Sequence, residues 1–455
     1  MSQQPNVLFF IADDHRASAI HAYGDPTVRT PVLDGLCADG ASFRRNVHMG
    51  GLSGAVCIPT RACLHTGAHV FRATTGNDMA DPQGIHTLRP EHTYLAEHFR
   101  AAGYHTFATG KWHNDRASFA RSFGDARNVF FGGMGDHDRL PVQDFDPEGK
   151  YEPSRAQVAD RFSTDLFGDT AIEFLESYQE DAPFFLYCAF TAPHDPRTPP
   201  PDWADAYPPE AMPLPANFMS QHPFDNGELW VRDEKLAAFP RTPEEVRRHI
   251  ADYYGMISDM DDKIGQVLAA LERQGLAENT LVVYTADHGL AVGQHGLLGK
   301  QNLYEHSVRV PLILRGPGVP AGRAVEALSY TYDIYPTLCE LAGLPVPENV
   351  DAQSLAPLLH GGQGRAAVCA VYKDNQRMVT DGPWKLIRYA RSQHGGADRE
   401  QLFHLTTDPW ELWDLSQDPQ HRERKEALRR QLSAWQESVQ DPWAGLHAPS
   451  VRRGG

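Results

Sequence analysis

Cysteine is scarce: six residues, at positions 37, 57, 63, 188, 339 and 369 of a 455-residue chain, with no C-x-x-C pair among them. That usage excludes a disulfide scaffold and the common zinc and dithiol motifs, and it suits a reducing compartment. Long apolar runs are missing too, since no stretch reaches the roughly 18 residues that a bilayer-spanning helix needs. The opening "MSQQPNVLFFIADDH" has a short apolar run, Val7 to Ile11, but neither a basic n-region nor a small-residue cleavage site, so it does not read as a secretory leader. A cytoplasmic protein without a membrane partner is the expectation. Basic runs are equally rare. With 42 Lys and Arg against 59 Asp and Glu, the formal net charge of -17 opposes contact with phosphate backbones and excludes nucleic acid as the expected partner. Low-complexity segments and repeats of fixed period are absent as well.

What is present is a recurring grammar of amphipathic helix, Gly or Pro stop, and short apolar strand. "EHTYLAEHFRAAGYHTFATGKWH" places Tyr94, Leu95, His98, Phe99 and Ala102 on one helical face, stops at Gly103 and predicts a strand over 104–108. The same unit predicts a helix near 169–178 before a strand over 184–190, and a long helix closed by Gly275 before a strand over 280–285. Near-continuous apolar strands alternating with helices imply an α/β fold, a large and mostly parallel sheet covered on both faces. The segment from about 195 to 245, rich in proline and acidic residues, reads as a long ordered excursion near the site. After about 365 the pattern changes to strand-like runs between turns and a last helix, which predicts a smaller antiparallel-sheet subdomain. The expected division is therefore 1–364 and 365–455.

Ligands of open α/β sheets gather at the carboxyl ends of the strands. Asp13 and Asp14, Lys111 and His113, His194, and Asp287 and His288 all follow predicted strands. Adjacent carboxylates repel unless a cation neutralises them, and their hard oxygens suit Ca²⁺, Mg²⁺ or Mn²⁺, although Asp also caps helices. The imidazole of His288 widens the choice to transition ions. Lys111, His113, His194 and Lys300 on one rim would bind an anion and protonate a leaving group. Cys57, in "GAVCIPTRACLHTG", stands where a helix opens beside Arg61. It is either a thiolate stabilised by the helix dipole and the guanidinium, or a small buried apolar residue.

"CIPTR", together with "NVLFFIADDH", "GKWH", "APH", "TADHG" and "GLLGKQNLYEHSVRVPLI", resembles the sulfatase family of the alkaline phosphatase superfamily, in the right order from residue 5 to about 315. "ELWDLSQDP" is similar to the family's C-terminal subdomain. The resemblance implies an alkaline phosphatase-like α/β sandwich and a sulfuric ester hydrolase whose motif cysteine, Cys57, is oxidised to formylglycine by a formylglycine-generating enzyme. It implies that Asp13, Asp14, modified Cys57, Asp287 and His288 hold one divalent metal. Arg61 would orient the formylglycine, Lys111 and His113 would bind it and assist proton loss, and His194 and Lys300 would flank the sulfate, with His194 as general acid. A hydrated aldehyde can expel sulfate when its second hydroxyl is deprotonated, whereas a serine would remain sulfated.

Two positions depart from the usual pattern. Thr60 stands where Ser or Ala is common, and His288 replaces the Asn of calcium-dependent members, similar to choline sulfatases and phosphonate monoester hydrolases. The metal is thus Ca²⁺ first and Mn²⁺ second. The substrate implied is a sulfated carbohydrate or small alcohol, with His137, Asp195 and Arg197 as pocket candidates. A phosphonate monoester or phosphodiester hydrolase, or a choline-sulfatase-like enzyme, is the alternative on this scaffold. A catalytically silent glycan-binding relative is the alternative of another class; its mark would be loss of Lys111, His113, His194 or Lys300, and all four are present. Oligomeric state is left open, a homo-oligomer included.

Overall fold

In the computed structural model, which describes residues 4–75, 87–392 and 395–444, strand β1 (Asn6–Ala12) runs through the centre of the molecule. Its side chains explain the unbroken apolar run "NVLFFIA". Val7, Phe9 and Ile11 enter one hydrophobic cluster, while Leu8, Phe10 and Ala12 enter another on the opposite face. A strand buried on both faces has no polar position to alternate with.

Eight strands form this main sheet. Besides β1 they are β2 (Ala41–Val47), β3 (His105–Lys111), β4 (Asp125–Phe130), β5 (Phe184–Ala189), β6 (Thr280–Ala286), β7 (Leu312–Arg315) and β8 (Arg323–Tyr330). Their spatial order is β8-β2-β7-β6-β1-β5-β3-β4. All pairings are parallel except those that β7 makes with β6 and β2. The expected mostly parallel α/β sheet is observed, with a single reversed strand.

Helices cover both faces. The main ones are α1 (Pro31–Asp39), α2 (Cys57–Thr66), α3 (Leu95–Ala101), α4 (Ser163–Ser177), α5 (Pro243–Arg273) and α6 (Arg422–Ser438). Helices α4 and α5 place Phe167, Ala171, Met256, Met260 and Ile264 against one face of the sheet. Helix α2 sends Ala62, Cys63 and Leu64 into the cluster on the other. Helix α5 starts at a Thr242 cap whose side chain accepts from the Glu245 N–H, with Pro243 at its first position. Observed boundaries differ from the expected ones by a few residues: α4 starts at Ser163, and β3 runs on to Lys111, so that lysine ends the strand rather than following it.

The second sheet is antiparallel in its chain-local part: β9 (Val368–Tyr372), β10 (Gln376–Thr380), β11 (Trp384–Tyr389) and β12 (Arg399–His404). Helix α6 closes it through Leu428 and Leu432. Its fifth strand is the short Gly50–Gly51, which pairs in parallel with β9 from just ahead of α2. That pairing ties the second sheet to the loop carrying Cys57. Residues 195–242 are irregular, with short helical turns at Pro201–Ala204, Pro209–Ala211 and Asp233–Leu236. No helix among the described residues is long and apolar enough to cross a membrane.

Candidate active site

Strands β6 and β1, and β3 one strand further along beyond β5, end on the same edge of the sheet, and each of the three leads into an ionisable residue. Asp13 follows β1, Lys111 closes β3, and Asp287 follows β6; all three side chains are fully buried. Asp14 takes a left-handed backbone (φ 71°), which turns the chain at the strand end. The Asp14 N–H donates to Asp287 Oδ1 at 3.3 Å, and the His288 N–H donates to the same oxygen at 2.9 Å.

Helix α2 brings Cys57 and Arg61 to these strand ends. Arg61 Nε donates to Asp287 Oδ2 at 2.9 Å and Nη1 donates to the Lys111 carbonyl at 2.8 Å. One guanidinium thus joins α2, β3 and β6. Pro59 packs so closely on Gly51 that a Cβ there would meet Pro59 Cγ at 2.3 Å, which fixes the helix start against the second sheet.

Ligand atoms of Asp13, Cys57, Asp287 and His288 lie within 4.8 Å of one another. Asp13, Asp14 and His194 form an overlapping group of the same kind. Three buried atoms here, Asp13 Oδ1, Asp14 Oδ2 and His288 Nε2, have no hydrogen-bond partner in the protein. Burial disfavours a charge on His288, yet Asp287 and Asp14 outweigh it and raise the imidazole to about 10. Such a concentration of negative charge with unspent lone pairs is what a divalent cation neutralises, and carboxylates with one imidazole suit Ca²⁺ or Mn²⁺. The donor set therefore fits a metal.

Cations ring the same point. Lys111 Nζ bonds Asp13 Oδ2 and donates to the Gly133 carbonyl at 2.5 Å. Lys300 Nζ donates to Asp14 Oδ1 at 2.8 Å and lies 3.0 Å from His194 Nε2. Burial opposes ionisation of Asp14, but His194, Lys300 and His288 outweigh it and hold the carboxyl well below its usual range. His194 Nδ1 donates to the Asp195 carbonyl at 2.7 Å, so Nδ1 carries a proton and Nε2 is the ring nitrogen turned toward Lys300. His113 Nδ1 lies 3.0 Å from Cys57 Sγ, and burial followed by Lys111 holds this imidazole well below its usual range. It is a neutral base beside the cysteine. Burial raises the Cys57 thiol, but Lys111, a hydrogen bond with His288, and Lys300 outweigh it and bring it down to about 7.

A cavity of about 590 Å³ opens onto this cluster, with Cys57, His113, His194 and Lys300 on its wall. That volume accommodates a small organic ligand. All ten residues expected for catalysis and metal binding are thus brought together.

The three pocket candidates, His137, Asp195 and Arg197, are not among the residues that line the cavity. His137 is buried behind it: Nδ1 shares a hydrogen bond with Ser163 Oγ at 2.8 Å and Nε2 donates to the His194 carbonyl at 2.9 Å, bracing the backbone of His194. Asp195 is turned onto Arg232 and lies 3.4 Å from His194 Nδ1. Arg197 is buried near Asp252. Sequence reasoning instead missed Gly133, Met134, Arg232, Asp233, Gln301 and Lys373, which do line it. Only Arg232 and Asp233, inside the excursion expected near the site, carried any signal.

Comparison with known proteins agrees with this geometry. A family model described as sulfatase matches residues 5–344, and one for the C-terminal region of N-sulphoglucosamine sulphohydrolase matches 293–438. The chain is 26% identical to an N-acetylglucosamine-6-O-sulfatase of Bacteroides thetaiotaomicron, over 92% of this chain and 82% of that protein. It is 28% identical to an ulvan-active sulfatase of Formosa agariphila, over 95% of this chain and 80% of the relative. Two solved structures share the fold. One, in complex with its substrate D-glucosamine-2-N,6-O-disulfate, superposes with a TM-score of 0.80 at 24% identity, covering 96% of this chain and 99% of that one. The other, the phosphonate monoester hydrolase of Agrobacterium radiobacter, gives 0.73 at 24% identity, covering 96% of each chain. An alkaline phosphatase-like sheet, a cysteine at a helix start over a ring of carboxylates, and a family match across most of the sequence lead to one conclusion: this chain belongs to the sulfatase family and is a sulfuric ester hydrolase.

Proposed function

We propose that the enzyme cleaves a sulfate ester of a carbohydrate with formylglycine made from Cys57, assisted by one divalent metal held by Asp13, Asp14, Asp287 and His288. The observation that carries this reading is the position of Cys57: Sγ within 4.8 Å of ligand atoms of Asp13, Asp287 and His288, and 3.0 Å from His113 Nδ1. A formylglycine-generating enzyme would be the partner in maturation. The carbohydrate is favoured by the activities for which the N-acetylglucosamine and ulvan sulfatase relatives are named.

When bound, the metal supplies a Lewis acid that withdraws charge from the sulfuryl oxygens; Ca²⁺ is expected first and Mn²⁺ second. Formylglycine supplies, as its hydrate, a nucleophile that leaves no stable sulfated side chain behind. The chain's own groups do the rest. Lys111, fixed by Asp13 and the Gly133 carbonyl, offers positive charge beside residue 57. His113, neutral at Nδ1, is placed to take a proton from the side chain at 57. On the other side Lys300 and His194 form a donor pair. With Nδ1 committed to the Asp195 carbonyl, a proton held at His194 Nε2 is the one to pass to the leaving oxygen, and Lys300 Nζ at 3.0 Å can replace it.

The test combines chemistry and mass. Protein coexpressed with a formylglycine-generating enzyme is assayed on an aryl sulfate and an aryl phosphonate monoester with Ca²⁺ or Mn²⁺, and the peptide containing Cys57 is weighed. An aldehyde at 57 and preferred cleavage of the sulfate are expected. An intact thiol in fully active enzyme would overturn the formylglycine step, and preferred cleavage of the phosphonate would move the reading to the phosphonate hydrolases.

A further inference from the structure

The cavity wall away from Cys57 is built of cations that already have partners. Arg232 lines the cavity, and its guanidinium bonds both oxygens of Asp195 and reaches Asp233 Oδ1 at 2.7 Å. Lys373, in the turn after β9, enters the same cavity with its Nζ 2.6 Å from Glu228 Oε1. Gln301 Nε2 donates to Asp233 Oδ2 at 2.8 Å. Of the wall's cations Arg232 is thus held by Asp195 and Asp233, Lys373 by Glu228 and Lys300 by Asp14, so each is matched by a carboxylate, Asp233 on the wall itself and the others behind it.

That balance decides what the wall can recognise. A second sulfate or a carboxylate on the substrate would meet no uncompensated cation, and it would approach Asp233 on the wall itself. Hydroxyl groups meet the opposite situation, because donors on Arg232, Lys373 and Gln301 stand beside acceptors on Asp233. Phe131, Met134 and Val231 line the same cavity and offer apolar surface for the C–H face of a sugar ring.

Resting on the sulfatase reading above, we propose that this wall is the leaving-group subsite and selects an uncharged, polyhydroxylated sugar unit bearing one sulfate. Disulfated and uronate-bearing units are disfavoured. The Arg232–Asp195 and Lys373–Glu228 pairs are the specificity determinants.

The experiment compares kcat/KM of the matured enzyme on a monosulfated N-acetylhexosamine, its disulfated counterpart, choline sulfate and 4-nitrophenyl sulfate. At least a tenfold preference for the monosulfated sugar over the disulfated sugar and over choline sulfate is expected. Glu228→Gln removes the compensation of Lys373 and should narrow the preference against the disulfated sugar at least tenfold. Lys373→Met should lower the ratio of sugar sulfate to aryl sulfate turnover by a similar factor. Ligand-observed NMR with the unsulfated and disulfated sugars reads the same preference without turnover and without any variant. Preference for the disulfated sugar or choline sulfate, with the aryl sulfate still cleaved, overturns this inference alone. Failure to cleave any sulfate ester overturns the sulfatase reading, and the NMR comparison still decides the wall's preference.

Discussion

Arg61 and Asp287 form an ion pair at 2.9 Å in which both side chains are fully buried, joining the helix that presents Cys57 to the strand end that presents His288. Removing one member of such a pair strands a charge in the interior, at a cost of about 3–5 kcal/mol. Arg61→Ala is therefore expected to lose about that much stability by denaturant unfolding. Arg61→Lys keeps the charge but not the fork that reaches both Asp287 and the Lys111 carbonyl. It should fold and lose at least ~10² in kcat through misplacement of residue 57. Stability of Arg61→Ala within 1 kcal/mol of wild type would refute the assignment.

His288 should set the choice of metal. Imidazole favours transition ions over Ca²⁺, whereas an amide oxygen does the reverse. His288→Asn is expected to shift the ratio of Ca²⁺ to Mn²⁺ affinity toward Ca²⁺ by at least tenfold, measured by titration calorimetry and by the rise in Tm with each ion. An unchanged ratio would mean that His288 does not touch the ion.

The thiol of unmodified protein gives a direct pH readout. Cys57 titrates at about 7, whereas burial pushes Cys37 up to about 11 and Cys339 up to about 12, and raises Cys63, Cys188 and Cys369 still further. Thiolate forms as pH rises through the pKa, so iodoacetamide should label Cys57 alone in the folded protein, with the rate climbing from pH 6 and levelling above pH 8. Peptide mass mapping checks this; equal labelling of Cys37 would contradict it.

Gly133 tests the packing behind His113. A Cβ at this position would stand 2.7 Å from His113 Nε2. Gly133→Ala should push the imidazole away from residue 57 and reduce kcat by ~10², with Tm changed little because the loop lies on the cavity wall. Full activity in this variant would remove His113 from the proton step.

Much of this architecture is legible in local sequence because it is locally encoded. Val7, Phe9 and Ile11 alternate with Leu8, Phe10 and Ala12 in one apolar run, which only a strand covered on both faces tolerates. Asp13, Lys111 and Asp287 are readable as site residues because a parallel sheet delivers every strand end to one rim. His137, Asp195 and Arg197 stand behind the lining residues rather than among them, because loop position says nothing about which side of a wall a side chain takes.

The sequence by itself determined the chemistry: which strands form, which ionisable groups end them, and that a cysteine with Pro59 and Arg61 opens a helix beside them. Only the tertiary structure decided the recognition wall. Lys373 reaches the cavity from the second sheet and Arg232 from an irregular segment, and each is held there by a carboxylate distant in sequence, Glu228 and Asp195. Contacts of that kind have no period along the chain. They depend on where folding places the partners, and therefore on the Gly50–Gly51 pairing that joins the second sheet to the Cys57 loop.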